Sequence, residues 1–248
     1  MHSCGNDFVI LPSFTAPLLD LTAEQCQNIA HRHYGLGCDQ ILCVDPDIES
    51  RQATVKIYNQ DGSVAKACGN GSRCVVAWLD SLSPSPTTWT LRVGTDSIKG
   101  HIHSDTFVTI MQGKAQPIVQ KSFAMDIVGV SVDIGNRHFI VSVHDVDPRY
   151  EKTSPIMNKA QELSQHYDAN ISFVQHLDDH KILARTWERG VGWTLSCGSA
   201  ACAIACALDM SSCSILTKGG ALEVYQSQDN WCHKGQAVWV AKGNLYDH

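Results

Sequence analysis

Positive charge is short in this sequence, and so are the segments that would carry a chain to a membrane or out of the cell. Lysine and arginine number 19 against 25 aspartates and glutamates, a formal net charge of −6. No basic face is therefore expected for nucleic acid or an anionic bilayer. No apolar stretch reaches the ~18 residues that a spanning helix needs. The opening Met1-His2-Ser3-Cys4-Gly5-Asn6-Asp7 lacks the charged and apolar regions of a signal peptide. These absences predict a cytoplasmic protein with neither nucleic acid nor membrane as a partner. No Cys-x-x-Cys occurs anywhere, so the clasp of a structural zinc site is missing and no metal is expected.

What the chain does have is eleven cysteines. An odd count in a long chain without an export signal argues against a disulfide scaffold. Most, such as Cys26, Cys43, Cys202 and Cys206, sit in apolar patterns and read as small buried hydrophobes. Cys68 and Cys197 differ. Each is followed by glycine and small or polar residues, then by an apolar run. Laid together from the cysteine, Cys68-Gly69-Asn70-Gly71 and Cys197-Gly198-Ser199-Ala200 both reach Leu-Asp at the eleventh and twelfth following positions, Leu79-Asp80 and Leu208-Asp209. That is the mark of a duplicated half, each presenting one thiol at the start of a helix.

Helix starts offer unpaired N–H groups and the positive end of the dipole. Both favour a thiolate, moving a free thiol from about 8.5 toward neutrality, and both favour a bound carboxylate. Two such thiols suit the removal of a proton from one face of a carbon and its return to the other. A protease-like nucleophile, with His2 or His138 as base, would leave the second cysteine turn unexplained.

At 248 residues and 44% hydrophobic content, the chain suffices for one large domain or two of roughly 120 residues. Leu21–His33 reads as a helix opened by a Thr22/Gln25 capping box and ended by Gly35 and Gly37. Strands are expected at Gln40–Val44 and Thr54–Tyr58, followed by a hairpin-type turn over Asn59-Gln60-Asp61-Gly62. The first cysteine helix should run to Asp80, and Ser81–Thr88, with two prolines, reads as a loop. Strands follow at Trp89–Val93, Ser97–His103, Phe107–Gln112, Ile127–Ile134 and Phe139–Val143. Ser154-Pro155 marks a helix start, cap residue then proline, running to about His166. Strands at Ile171–Gln175 and Ile182–Thr186 precede the second cysteine helix, and Leu222–Tyr225 and Ala237–Ala241 close the chain. Each half is thus expected to wrap strands about a central helix that begins with a thiol.

The motifs, in order, resemble those of the diaminopimelate epimerases. They are Met1-His2-x-x-Gly5-Asn6-Asp7-Phe8-Val9, Gly37-x-Asp39-Gln40, Asn59-x-Asp61-Gly62-Ser63 and Cys68-Gly69-Asn70-Gly71-x-Arg73-Cys74. Then come Gly135-Asn136-x-His138, Asn170-x-x-Phe173-Val174 and Glu188-Arg189-Gly190-Val191-Gly192-x-Thr194-x-x-Cys197-Gly198. The resemblance implies an α+β fold of two pseudo-symmetric domains, each a sheet or barrel around a central helix, with the active site in the cleft between them. It implies domains of 1–113 plus 236–248 and of 114–235. It implies a pyridoxal-independent isomerase that needs no cofactor, epimerises LL- to meso-diaminopimelate for lysine and peptidoglycan precursors, and could form a homodimer.

By the same resemblance, Cys68 and Cys197 are the acid/base pair, and the N–H groups of Gly69, Asn70, Gly198 and Ser199 cradle the α-carboxylate. Arg189 would pair with the distal carboxylate. Asn59, Asn136 and Asn170 would hold the distal amino-acid head, while Asn6 and Gln40 line the first-domain side. Glu188 and His138 would tune the thiols. Two other readings fit the thiol pair: an epimerase of the same fold acting on a proline derivative or histidine, and a redox or binding protein using the cysteines as a switch.

The chain departs from the family pattern at Arg137, where proline is usual, at Ala200 in place of glycine, and at Trp193 in place of glutamate. Its beginning at the Met-His motif implies a start further upstream or a shortened edge strand.

Overall fold

The computed structural model describes residues 1–14, 18–85, 88–103, 106–124, 127–146 and 155–245, with the side chains of 116–124 excepted. The chain divides into two compact units: Met1–Val108 together with the segment from Gln236 onward, and Thr109–Gly235.

The first unit contains β1 (His2–Ser3), β2 (Asn6–Pro12), α1 (Ala23–Ala30), β3 (Gln40–Asp47), β4 (Gln52–Asn59), β5 (Val64–Ala65), α2 (Gly69–Leu82), β6 (Trp89–Val93) and β7 (Asp96–Ile102). Strand β8 (Phe107–Gly113) carries the chain across. The second contains β9 (Gln116–Ala124), β10 (Ile127–Asp133), β11 (Arg137–Ser142), a 3₁₀ turn (Pro155–Lys159), α3 (Ala160–Tyr167), β12 (Asn170–His176) and β13 (Lys181–Glu188). It continues with β14 (Gly192–Trp193), α4 (Gly198–Ala207), β15 (Ser212–Thr217), β16 (Gly220–Ser227) and β17 (Asn230–Gln236).

The pairings repeat from one unit to the other. In the first, β1 and β2 are antiparallel, β2 and β3 parallel, β3 and β4 antiparallel, β4 and β6 parallel, and β6 and β7 antiparallel. In the second, β10, β11, β12, β13, β15 and β16 follow the same order and sense. The cysteine helix enters at the same point each time, between the two strands of the second parallel pair.

Helix α2 packs on β1, β2 and β3 at one end of its sheet and on β7 at the other. Every residue from Asn70 to Leu79 is buried, which marks a helix enclosed by its strands. Helix α4 opens on Gly198 and Ser199 and continues in alanine, cysteine and one isoleucine, and Ala200–Ala205 are buried; its thin side chains let β10, β11, β12 and β16 approach.

The capping box is present: Gln25 N–H donates to Thr22 Oγ1 at 3.2 Å and Thr22 N–H to Gln25 Oε1 at 2.9 Å. The helix it opens stops at Ala30, short of His33, because the next turn folds back. The N–H groups of Leu36 and Gly37 both reach Ile29 O. A Cβ on Gly35 would fall 1.9 Å from Asn28 O. Helix α2 runs two residues past Asp80. Helix α4 instead ends before Leu208, since Asp209 takes φ +53°, so the repeated Leu-Asp lies inside one helix and beyond the other.

The strand expected at Ala237–Ala241 is absent. The last strand is β17, and Val238 makes only an isolated bridge to His2. β17 escaped the pattern because it buries polar His233 along with Trp231 and Cys232. β1, β2, β5, β9, β14 and β15 were likewise unread. The helix expected from Pro155 begins as a 3₁₀ turn, and its cap at Ser154 lies outside the described residues. Cys206 is partly exposed rather than buried.

Gly62 closes the turn after Asn59 with φ +87°, and a Cβ there would meet Ala23 Cα at 2.5 Å. Gly62→Ala is expected to cost about 3 kcal/mol through dihedral strain and a forced shift of Ala23. Gly94, at φ +59° with open space around it, should cost about 1 kcal/mol on the same change. Urea unfolding of the two variants checks the ranking; equal losses would contradict it.

Candidate active site

In the first unit Cys68 is the N-cap of α2, and its Sγ accepts the Gly71 N–H at 3.4 Å. The thiol also lies 3.8 Å from Asn6 Oδ1, toward which it donates. Asn6 sits at the head of β2, donates through Nδ2 to Asp39 Oδ2 at 2.8 Å, and receives Asn70 Nδ2 at 3.3 Å. Arg32 grips Asp7 with two bonds, at 2.8 and 3.0 Å, and reaches Asp39 at 2.7 Å. Burial works against the Asp7 carboxylate, but the hydrogen bonds and charge of Arg32 prevail and hold it below its ordinary range. Buried Arg73 donates to Ser3 Oγ at 2.8 Å and to Asn70 Oδ1. Gln40 and Asn59 are cross-strand partners joined by a 2.9 Å bond from Gln40 Nε2. Gln40 Oε1 is buried without a partner among the described residues, an acceptor open to a ligand donor.

In the second unit Cys197 is the N-cap of α4. Its Sγ lies 3.4 Å from Ser199 Oγ and is hydrogen-bonded to Glu188. Burial raises the Glu188 carboxyl above its ordinary value, opposed by hydrogen bonds from Thr194 and Cys197. Asn136 Nδ2 reaches Ser199 Oγ at 3.4 Å, and its Oδ1 faces His138 Nε2 at 3.1 Å. His138 is 1% exposed, and burial pulls it down to about 3, so the ring is neutral.

Asn170 Oδ1 takes the backbone N–H of Arg189 at 2.8 Å. The Arg189 guanidinium is exposed and spends Nη1 on Asp168, at 2.6 Å to the carboxylate and 3.2 Å to the carbonyl. A Cβ on Gly198 would meet the buried His233 imidazole at 2.7 Å, so glycine is needed there for helix packing.

Strand register aligns the two sets. Phe8 pairs with Gln40 and His138 with Asn170; Gln40 in turn faces Asn59, while Asn170 sits one step before the Ile171–Trp187 pair, opposite Glu188. Asn6 thus corresponds to Asn136, Gln40 to Asn170, Asn59 to Glu188, Asn70 to Ser199 and Cys68 to Cys197. Contacts join Asn6, Cys68 and Asn70 in the first unit and Asn136, His138, Ser199 and Cys197 in the second, while Gln40 with Asn59 and Asn170 with Arg189 form separate pairs.

The motifs gave no role to Asp39, Arg32, Arg73, Asp168, Thr194 or His233. Asp39 lay inside a quoted motif, but its contact with Asn6 joins loops 33 residues apart in sequence. Trp193, which departs from the family pattern, packs edge-on to Trp187 with centroids 5.5 Å apart and lies under Arg185 at 5.3 Å. Arg137 is exposed on β11, and Ala200 is a buried helical residue. Among the described residues no three His, Cys, Asp or Glu side chains are grouped to hold a metal ion, and no helix is long and apolar enough to cross a membrane.

A family model described as diaminopimelate epimerase matches residues 1–118 and 130–244. The chain is 34% identical to the diaminopimelate epimerase of Aromatoleum aromaticum, over 96% of this chain and 91% of that one. It is 35% identical to that of Xanthomonas oryzae pv. oryzae, over 87% and 81%. Among solved structures it resembles a predicted epimerase of Pseudomonas aeruginosa, with TM-score 0.71, 16% identity and coverage of 98% and 94%. It also resembles a hydroxyproline epimerase of Agrobacterium vitis with bound trans-4-hydroxy-L-proline, with TM-score 0.58, 15% identity and coverage of 95% and 86%. At such identities these structures share the fold alone.

His138 gives the cluster a pH signature. Below 6.5 the unfolded chain protonates this imidazole, whereas the native one resists down to about 3. Its contribution to stability is whole above 6.5 and falls by about 1.4 kcal/mol per pH unit below it. Denaturant unfolding at pH 7 and pH 5 should show His138→Gln losing about 2 kcal/mol less than the wild type over that interval. Equal losses would contradict the burial argument.

Proposed function

Because the chain belongs to the diaminopimelate epimerase family, we propose that it interconverts LL- and meso-diaminopimelate by moving one α-proton between two thiols, Cys68 and Cys197. The observation that carries this reading is the repetition of a thiol N-cap at matching points of two duplicated sheets.

Without pyridoxal, the α-carbanion has no electron sink in the catalyst. The chain compensates with what its own residues supply. One thiolate takes the α-proton, and the other thiol returns a proton to the opposite face. The N–H groups that open α2 and α4, at Gly69, Asn70, Gly198 and Ser199, lack helical acceptors and receive the carboxylate as negative charge spreads onto it. Glu188 and His138 set the protonation of the Cys197 side.

At the distal end, Arg189 keeps Nε and Nη2 for a carboxylate in a fork that lysine could not reproduce. Gln40 Oε1 and Asn59 supply acceptors for the distal ammonium. Asn136 and Asn170, already bonded to Ser199 and Arg189, position those residues as well as the substrate. The reading gives the enzyme a small-molecule substrate, a cytoplasmic location and a place in the supply of lysine and peptidoglycan precursors.

Incubation with LL-diaminopimelate in D2O should exchange the α-hydrogen and form the meso isomer, and Cys68→Ala or Cys197→Ala should abolish epimerisation. Full turnover by either variant would end the two-thiol mechanism. Arg189→Lys should lower kcat/KM by roughly 100-fold, mainly through KM. An unchanged KM, with turnover of proline derivatives or histidine, would move the substrate assignment elsewhere in the fold family.

A further inference from the structure

In the loop that follows α1, each backbone N–H from His33 to Asp39 has an acceptor. Gly35 donates to His31 O, Leu36 and Gly37 to Ile29 O, Cys38 to Ala30 O and Asp39 to Asp7. The first two, His33 and Tyr34, both donate to Nδ1 of His31, each at 3.1 Å. An imidazole nitrogen that accepts carries no hydrogen, so this ring is neutral with its proton on Nε2. It serves the turn as an aspartate or asparagine side chain would, by bonding backbone a short way ahead. One property sets it apart. Protonation fills the lone pair and leaves an N–H aimed at two other N–H groups.

The residue inside this turn is Arg32. Its guanidinium bonds Asp7 twice and Asp39 once. The two carboxylates also accept each other's backbone N–H, at 3.3 and 2.8 Å, and without the cation between them these like charges would repel. Asp39 Oδ2 takes the Asn6 NH2 at 2.8 Å, and Asn6 Oδ1 lies against Cys68 and Asn70. One line of contacts thus runs from the His31 ring through Arg32 and Asp39 to Asn6.

We propose that His31 and Arg32 are positioning residues for the Cys68 half-site, and that the neutral His31 ring is a pH-sensitive cap on the turn that presents Arg32. When the ring gains a proton the turn opens, Arg32 loosens its hold on Asp7 and Asp39, and Asn6 leaves its place. The inference rests on the two-thiol reading above and adds a support for it outside the residues that the motifs assigned. It concerns where Asn6 stands and is independent of how the two sulfurs share the proton.

His31 is exposed, so protons reach it directly. Among the described residues, His33 and Tyr34 of the same turn face it, with ring centroids 6.0 and 4.8 Å away. Arg32 adds a positive charge, with Asp7 of β2 and Asp39 before β3 beyond it. The end of α1 that meets the turn, Asn28 to Ala30, is uncharged. Glu24 and Asp61 belong to the opposite end of that helix, where Gly62 meets Ala23.

The test compares the wild type with His31→Asn and His31→Ala at pH 8.5 and pH 5.5. Asparagine can accept the same N–H groups at either pH, whereas alanine accepts none. Each variant is read as a ratio to the wild type at the same pH, so any change that the thiols impose is common to all three. In kcat/KM for LL-diaminopimelate, His31→Asn should match the wild type at pH 8.5 and exceed it about fivefold at pH 5.5, the effect of losing one such cap. His31→Ala should run about fivefold below the wild type at pH 8.5 and equal it at pH 5.5. A general loss of stability would lower a variant at both values and could not produce this crossing. In a 1H–15N NMR titration, the side-chain amide of Asn6 should show a step in the wild type that His31→Asn lacks. Ratios that do not change with pH, or an Asn6 signal that moves alike in both proteins, would overturn the proposal. Failure of the epimerase reading would appear separately, as no α-hydrogen exchange from diaminopimelate at either pH, with the Asn6 signal still deciding whether His31 governs its position.

Discussion

The structure depends on how a buried helix begins. The first turn of any helix has N–H groups with no carbonyl behind them, and leaving such groups unpaired away from water costs on the order of 1–3 kcal/mol each. α2 is enclosed from Asn70 to Leu79, so solvent cannot reach all of its start. A thiol at the N-cap meets part of the need in the first unit, where Cys68 takes the Gly71 N–H. The same few atoms therefore account for the fit of the helix and the polarisation of the sulfur.

Duplication supplied the second thiol, and side chains around the shared backbone made the two unequal. The strands pair in the same order and sense in both units, so corresponding residues occupy corresponding places. The chemistry at those places differs: Phe8 against His138, Asn59 against Glu188, Asn70 against Ser199. An asparagine amide has a donor end and an acceptor end on one planar group. Its neighbours select which end meets the residue two past the thiol, without any change in the backbone.

Much of this was legible from residues alone because it is local. The capping box, the Asn59–Gly62 turn and the placement of both cysteines at helix starts each depend on residues within four positions of one another, and each formed. Strands with clear alternation, such as Trp89–Val93, were found at their bounds. The misses share a cause. β17 buries a histidine, and β2 opens on Asn6 and Asp7, polar residues held by partners at Asp39 and Arg32 far along the chain. Alternation of apolar and polar residues cannot register a strand whose polar side chains are satisfied by distant neighbours.

The amino-acid sequence by itself determined the repeat, the two thiols, their places at helix starts and the family to which their motifs belong. These follow from short-range spacing and from residue types that chemistry restricts narrowly. Tertiary structure decided the rest: that Gly198 makes room for His233, that Arg189 is partly engaged by Asp168, and that Asn6 and Asn136 present opposite ends of their amides to Asn70 and Ser199. Those outcomes depend on hydrogen bonds between residues tens of positions apart, whose direction is fixed only once folding brings the partners together and burial demands that each donor find an acceptor.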